Sequence, residues 1–340
     1  MSQKILVTGG AGYIGSHTVV QLLKANHPVV VLDNFSNSTA EVIHRIKKIT
    51  SSDFECIKAD IRDRNEIKTI FSSHDFSCVI HFAGVKAVGE SELNPLKYYD
   101  NNVLGSIVLL EEMMRSNVKK MVFSSSATVY GNPSFPQYSE STPLAPVNVY
   151  GRTKKMVEDV LRDLKKSNPE FSVAILRYFN PVGAHESGSI GENPLGTPNN
   201  LMPFISQVAV GKQPALSIYG NDYPTPDGTG YRDYIHVDDL ARGHLLAFEF
   251  IQKNAVELTL NFGTGKPYSV LEVIAAFEKA SGITIPYEFK ARRPGDLSQY
   301  YADPSKAFEI LGWKAIHSID RMCEDAWRWQ QKNQNGYETS

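Results

Sequence analysis

The run Val7-Thr8-Gly9-Gly10-Ala11-Gly12-Tyr13-Ile14-Gly15 lies between a strand-like segment, Ile5–Val7, and a stretch with helical spacing, Gly15–Ala25. Glycine lets a chain turn tightly and lets a ligand approach the backbone closely. The helix that comes next offers free N–H groups and a partial positive charge to an anion. A second strand, Val29–Leu32, ends in Asp33, 18 residues after Gly15. An acid at that spacing can accept hydrogen bonds from adenosine ribose hydroxyls. Its carboxylate would repel a 2′-phosphate, so the motif predicts NAD rather than NADP. A purely structural glycine turn with a solvated acid would not require strand, turn, helix and strand to occur in that order.

The pattern continues beyond the turn. Phe54–Lys58, Val79–Phe82, Met121–Ser124 and Val173–Arg177 read as further strands, with helical spacing at Glu66–Phe71, Gly105–Ser116 and Thr153–Ser167. Strands alternating with helices predict an α/β fold with a doubly wound, parallel, Rossmann-type sheet. A chain of 340 residues exceeds one ordinary core. After Pro181 the texture changes to loops rich in Gly, Pro, Asn and Ser, at Gly183–Asn200 and Asn221–Gly230. The expected division is therefore a cofactor domain at 1–181 and a smaller α/β substrate domain at 182–340, with some segments crossing back. The tail Lys332–Ser340 is expected to fray.

A formal net charge of −2 gives no reason to expect a nucleic-acid surface, and no apolar run reaches the roughly 20 residues of a membrane helix. Cys56, Cys78 and Cys323 fit neither a disulfide framework nor a metal pattern. His81, His185 and His236 form no spaced metal set, so structural roles and no metal are expected. Asp238 and Asp239 are expected to cap a helix. With no signal peptide apparent, the expected location is cytoplasmic.

Tyr150-Gly151-Arg152-Thr153-Lys154 is a second anchor. Positions i and i+4 share a helix face, so Lys154 can sit near the Tyr150 ring and a bound ribose. A phenol titrates near pH 10, and nearby positive charge favours its phenolate, a usable base. Ser124-Ser125-Ser126 comes after a strand, at the end where open α/β sheets place ligands. A serine there can hydrogen-bond the reacting hydroxyl and relay its proton.

The G-x-x-G-x-x-G spacing resembles the extended short-chain dehydrogenase/reductase superfamily. Val7–Ser16, His81–Ser91, Phe123–Gly131, Arg177–His185, Pro198–Pro203, Tyr219–Asp233 and Arg292–Asp296 together resemble the UDP-glucose 4-epimerase family, over almost the whole chain. The resemblance implies a set of site residues and a reaction. Tyr150, Lys154 and Ser126 would be catalytic. NAD would be held by Gly9, Gly12, Tyr13, Ile14 and Gly15. The segment Asp33, Asn34, Phe35, Ser36, Asn37 and Ser38 would join them, as would Asp60, Ile61, Phe82, Ala83, Gly84, Lys86, Asn101 and Phe179. A UDP-sugar would meet Lys86, Ser126, Tyr150, Asn180, Asn200 and Leu201. It would also meet Leu216, Ser217, Ile218, Tyr219, Arg232, Tyr234, Arg293, Asp296 and Tyr300. By the same resemblance, Tyr150 would take the sugar O4 proton while C4 gives hydride to the nicotinamide. The 4-keto sugar would rotate, and hydride would return to the other face, interconverting UDP-galactose and UDP-glucose in galactose metabolism. Tyr300 would gate the sugar 2-substituent and disfavour N-acetyl hexosamines. The family pattern also implies a homodimer through two helices per subunit. A 4,6-dehydratase would want acids after the serine, where Ala127-Thr128 stands. A conventional dehydrogenase would release NADH, and a non-catalytic NAD sensor would not need Tyr150, Lys154 and Ser126 together.

Overall fold

A computed structural model describes residues 3–196, 198–293 and 295–337. Thr197 of the first polar loop, Pro294 of the Arg292–Asp296 motif and residues 338–340 of the tail lie outside the described residues. The strands are β1 Lys4–Thr8, β2 Val29–Asp33, β3 Glu55–Lys58, β4 Phe76–His81, β5 Lys120–Ser124, β6 Gln137–Tyr138 and β7 Ser172–Tyr178. They continue as β8 Asn180–Val182, β9 Leu216–Tyr219, β10 Tyr231–His236, β11 Glu257–Phe262, β12 Pro267–Ser269, β13 Tyr287–Lys290 and β14 Gln299–Ala302.

Seven strands form one sheet in the order β11-β7-β5-β4-β1-β2-β3, and every pairing in it is parallel. Its central strands are buried on both faces, which is why they read as continuous apolar runs. Val7, Val31, Ile80, Val122 and Leu176 pack on one face. Leu6, Val30, Val79, Met121 and Val173 pack on the other. The order reverses between β1 and β4, which opens a crevice at their carboxyl ends where such sheets take ligands. The late strand β11 and the helix Val237–Lys253 complete this sheet, so the chain returns to its first layer after building the second.

The remaining strands form the smaller lobe. One sheet runs β12-β10-β14-β6, with β8 also pairing β10, and β9 pairs β13. Its core gathers Val182, Ile205, Leu216, Ile218, Phe277, Met322 and Cys323. No disulfide joins the three cysteines.

Two expectations are corrected. The helix Val237–Lys253 is capped by His236, whose Nδ1 accepts the Asp238 N–H, not by Asp238 or Asp239. Asp239 instead accepts the backbone N–H groups of Ile316 and His317 and the His317 ring, tying down a late loop. The tail does not fray as far as Tyr337. Its ring is 8% exposed, and its hydroxyl donates to the Gly191 carbonyl. Arg45 lies 5.0 Å from the ring centroid. An aromatic side chain with a polar tip that finds a partner can anchor an otherwise polar segment.

Candidate active site

The glycine turn closes by contact. Gly9 has φ 69°, and a Cβ there would lie 2.7 Å from the Ala83 nitrogen after β4. At Gly15 a Cβ would lie 2.2 Å from the Gly9 carbonyl. The helix Tyr13–Lys24 begins at Gly12 with no side-chain cap and no acid in its first turn. Its first N–H groups therefore face the crevice without an internal anion, which suits a phosphate. Asp33 shapes this cradle. Its carboxylate accepts the Ala11 N–H at 3.0 Å, the Phe35 N–H at 2.9 Å and the Ser38 hydroxyl at 2.8 Å. Asn34 donates to Asp60. Arg62 grips Asp60 with two nitrogens, and these bonds, led by Arg62, hold the Asp60 carboxyl well below the usual range. Ile61 is buried beneath. Ser36 and Asn37 are exposed at the rim. The Tyr13 hydroxyl donates to the Gly183 carbonyl at 2.7 Å, joining the turn to the second lobe.

Phe82, Ala83 and Gly84 come after β4 at the crevice. The neighbouring Asn102 packs against this segment, and a Cβ at Gly84 would lie 2.8 Å from its Oδ1. Asn102 is buried, accepts the Val85 N–H, and donates to the Val85 carbonyl and the Thr153 hydroxyl. The Asn101 amide donates back to the Lys97 carbonyl. Both lie in a π-helical turn, Tyr99–Leu104. A π turn is wider than an α turn and changes which side chain faces a neighbour. Asn101 remains partly exposed there.

Tyr150 and Lys154 lie in the first two turns of the helix Val149–Ser167, which is capped by Asn148. Both side chains are buried. The Lys154 ammonium donates to the Ser124 carbonyl at 2.8 Å and lies 6.0 Å from the Tyr150 ring centroid. Burial holds Lys154 down to about 8, with Glu158 opposing the shift. Burial raises Tyr150 well above an ordinary phenol, Tyr178 adds to the rise, and only Ser126 works against it. Without further positive charge, Tyr150 is therefore a proton holder. Ser126 stands at the end of β5 in extended conformation and accepts the Thr128 N–H and hydroxyl.

A buried polar network under this loop was not singled out from sequence. Glu158 accepts from Arg177 at 2.9 and 2.6 Å, from the Ser125 hydroxyl at 2.6 Å and from Arg162 at 2.9 Å. Arg177 also reaches the Tyr130 hydroxyl, which donates to Asn261. Ser125 precedes Ser126, so the network fixes the strand end that carries the serine. The signal in the sequence was Glu158 itself, an acid on the face that Tyr150 and Lys154 define. The Ser124 hydroxyl donates to the Tyr178 hydroxyl at 3.2 Å and also meets buried His244. His81 bridges Thr8 and Ser106, a structural place.

From the second lobe, Glu192 pairs with Lys86 at 3.0 Å, and the same carboxylate oxygen accepts the Asn200 amide. Sequence reasoning did not single out Glu192, which sits in the polar loop. Asn200 is the N-cap position of the helix Leu201–Ala209 but makes no side-chain cap bond, so its amide is free for that contact. Arg232 pairs with Asp296 at 3.3 Å and lies 4.7 Å from the Tyr300 ring centroid. Arg293 stacks 4.0 Å from the Tyr219 centroid. Along β9, Leu216 and Ile218 turn into the lobe core while Ser217 and Tyr219 turn outward. Tyr234 is buried opposite Asn180 in the β10–β8 register. The Tyr300 hydroxyl points at Asn180, 3.4 Å away, and Phe179 is buried beside it. Among the described residues no group of three or more His, Cys, Asp or Glu could hold a metal, and no helix is long and apolar enough to cross a membrane.

The chain matches the GDP-mannose 4,6 dehydratase family model over residues 6–326. It is 56% identical to the UDP-glucose 4-epimerase of Bacillus subtilis (strain 168) over 336 residues, 99% of each chain. It is 53% identical to that of Dictyostelium discoideum over 341 residues, covering 100% of this chain and 99% of the other. The crystal structure of UDP-glucose-4-epimerase from Stenotrophomonas maltophila, with bound NAD and formylated UDP-arabinopyranose, superposes with a TM-score of 0.96 at 49% identity. That match covers 98% of this chain and 99% of the other. The UDP-glucose 4-epimerase of Bifidobacterium longum in complex with NAD+ and UDP matches with a TM-score of 0.95, also at 49% identity, over 98% and 100% of the two chains. Full-length identity at this level, on a parallel sheet whose strand ends carry the glycine turn and Ser126, places the chain in the UDP-glucose 4-epimerase family.

Proposed function

We propose that the chain interconverts UDP-galactose and UDP-glucose through transient oxidation at C4, with NAD retained between turnovers. The observation that carries this reading is that Lys154 reaches the Ser124 carbonyl beside Ser126, on the same parallel sheet whose β1 leads into the uncapped helix N-terminus. The residues fit NAD: the glycine turn has no room for a Cβ at Gly9 or Gly15, and Asp33, at the end of β2 beside that turn, would accept from the adenosine ribose. Residues 1–181 would hold the cofactor, and 182–340 would grip the UDP-sugar. Bound NAD would supply the hydride sink and source for C4 and, when oxidised, a positive charge. Tyr150 would then take the O4 proton and later return it, with Ser126 relaying it. Lys154, held by the Ser124 carbonyl, would keep its charge near the phenol and the ribose. Arg232 and Arg293 would clamp the diphosphate, since a guanidinium can engage two oxygens at once. Asp296 would accept a ribose hydroxyl, and Lys86 and Asn200 would close the other side. Firm hold on UDP with little hold on the hexose lets the 4-keto sugar rotate. Ala127 and Thr128 come directly after Ser126, with no acid for a dehydration. Tyr300 would exclude bulky 2-substituents and so N-acetyl hexosamines.

Leu93 and Leu96 are about four-fifths exposed, and Met156 lies half-exposed on the Tyr150 helix. The helix Val88–Leu93 packs on that same helix. Exposed apolar side chains on helices that pack together support a homodimer joined through that face, and the protein is read as acting in the cytoplasm. The test is conversion of UDP-galactose to UDP-glucose by purified protein with no NAD added. Product without accumulating NADH supports the reading. NADH accumulating in step with substrate loss makes the protein a conventional dehydrogenase instead.

A further inference from the structure

Tyr300 is held between other groups. Its ring lies nearly parallel to that of Tyr138, with 12° between planes and 6.1 Å between centroids. Arg232 lies 4.7 Å from its centroid and Phe179 packs at 6.0 Å. Among the described residues its own hydroxyl makes only the 3.4 Å contact to Asn180, too long to fix the ring firmly.

Tyr138 is well placed to brace that ring. It belongs to the two-residue strand β6, which pairs with β14, the strand carrying Tyr300, in the register Tyr301 to Gln137 and Ala302 to Tyr138. The Tyr138 carbonyl accepts the Asp303 N–H and the Asn261 amide, so its backbone is tied on two sides. The side chain is 2% exposed. Its hydroxyl makes no hydrogen bond among the described residues. A buried hydroxyl without a partner is a cost, so what this residue contributes is its ring.

We propose that Tyr138 is a specificity-positioning residue. Its ring holds Tyr300 in the orientation that closes the space beside the sugar 2-substituent. This rests on the reading of Tyr300 as the gate. With the Tyr138 ring gone, the Tyr300 ring can turn into the space left behind, and room opens for an N-acetyl group.

The experiment measures kcat/KM for UDP-N-acetylglucosamine and for UDP-glucose on Tyr138→Leu, Tyr138→Phe and Tyr300→Ser, each as NAD-loaded full chain. The ratio of the two substrates on one preparation cancels the active fraction, so a merely structural defect does not move it. Tyr138→Leu is expected to raise the N-acetyl ratio about two- to tenfold, the factor carried by one aromatic pair. Tyr138→Phe keeps the ring and leaves the ratio unchanged. Tyr300→Ser raises it at least as far as Tyr138→Leu. Should Tyr138→Leu not fold, Tyr138→Met carries the same expectation. An unchanged ratio in Tyr138→Leu beside a raised one in Tyr300→Ser overturns the brace and spares the gate. An unchanged ratio in Tyr300→Ser overturns the gate and the brace with it. A shift in Tyr138→Phe as large as in Tyr138→Leu assigns the effect to the hydroxyl and refutes the proposal.

Discussion

Replacing Glu158 by glutamine tests the buried network directly. The carboxylate takes four hydrogen bonds: two from Arg177, one from Ser125 and one from Arg162. Glutamine keeps one acceptor oxygen and turns an NH2 group toward two of these donors. Arg177 is 2% exposed and would lose the charge that balances it. Breaking a buried ion pair from one side costs about 3–5 kcal/mol. At roughly 2 °C per kcal/mol for a long chain, the melting temperature should fall by about 6–10 °C. A control at the exposed pair Lys279–Asp320, where Asp320→Asn removes one partner, should cost no more than about 0.5 kcal/mol. Both variants would be followed by near-ultraviolet circular dichroism on heating, at fixed protein and NAD concentration. A fall of less than about 2 °C for Glu158→Gln would refute the claim that this network holds the strand end beneath Ser126.

Burial of Lys154, which the Glu158 charge opposes, sets the pH dependence. Lys154, held down to about 8 by burial, is charged below that pH and neutral above it. Turnover should therefore fall as pH rises through about 8, and Glu158→Gln should move that limb to lower pH. A pH–rate profile flat up to the ordinary lysine range, about pH 10, contradicts the requirement for the ammonium. Arg232→Lys removes a planar fork and should raise KM for the UDP-sugar about tenfold or more, at about 1.4 kcal/mol per tenfold, with kcat within roughly threefold. Steady-state kinetics would show it, and an unchanged KM would remove Arg232 from the diphosphate clamp. Asp33→Asn weakens the acceptor at the turn, so the purified protein should retain less NAD, measured as released nucleotide per chain. Full NAD retention would make Asp33 a purely structural acid.

The parts that are legible in the sequence are those where local spacing carries the chemistry. The glycine turn, Asp33 and the Tyr150–Lys154 pair are each fixed by one strand–turn–helix or one helix face. Alternating apolar runs likewise give the parallel sheet. Features that sequence spacing misses depend on distant contacts or unusual local geometry. Asn102 ties the Val85 backbone to Thr153 from a π turn, and no residue pattern announces such a turn. The Tyr337 anchor needs Gly191 and Arg45, both far along the chain. His236 caps a helix whose first turn holds two acids that look like better caps. Glu158 could have been read as an acid on a buried helix face. Its partner Arg177 lies on a different element, so only the fold brings them together.

The central claim is that the Tyr150 phenol is the base of a reversible C4 oxidation. Tyr150→Phe removes that hydroxyl alone and leaves the ring in place. The predicted result is that kcat for UDP-galactose to UDP-glucose falls by about 10²–10⁴-fold, while NAD bound per chain stays at the wild-type level. Turnover within about tenfold of wild type, with NAD still bound, would contradict it.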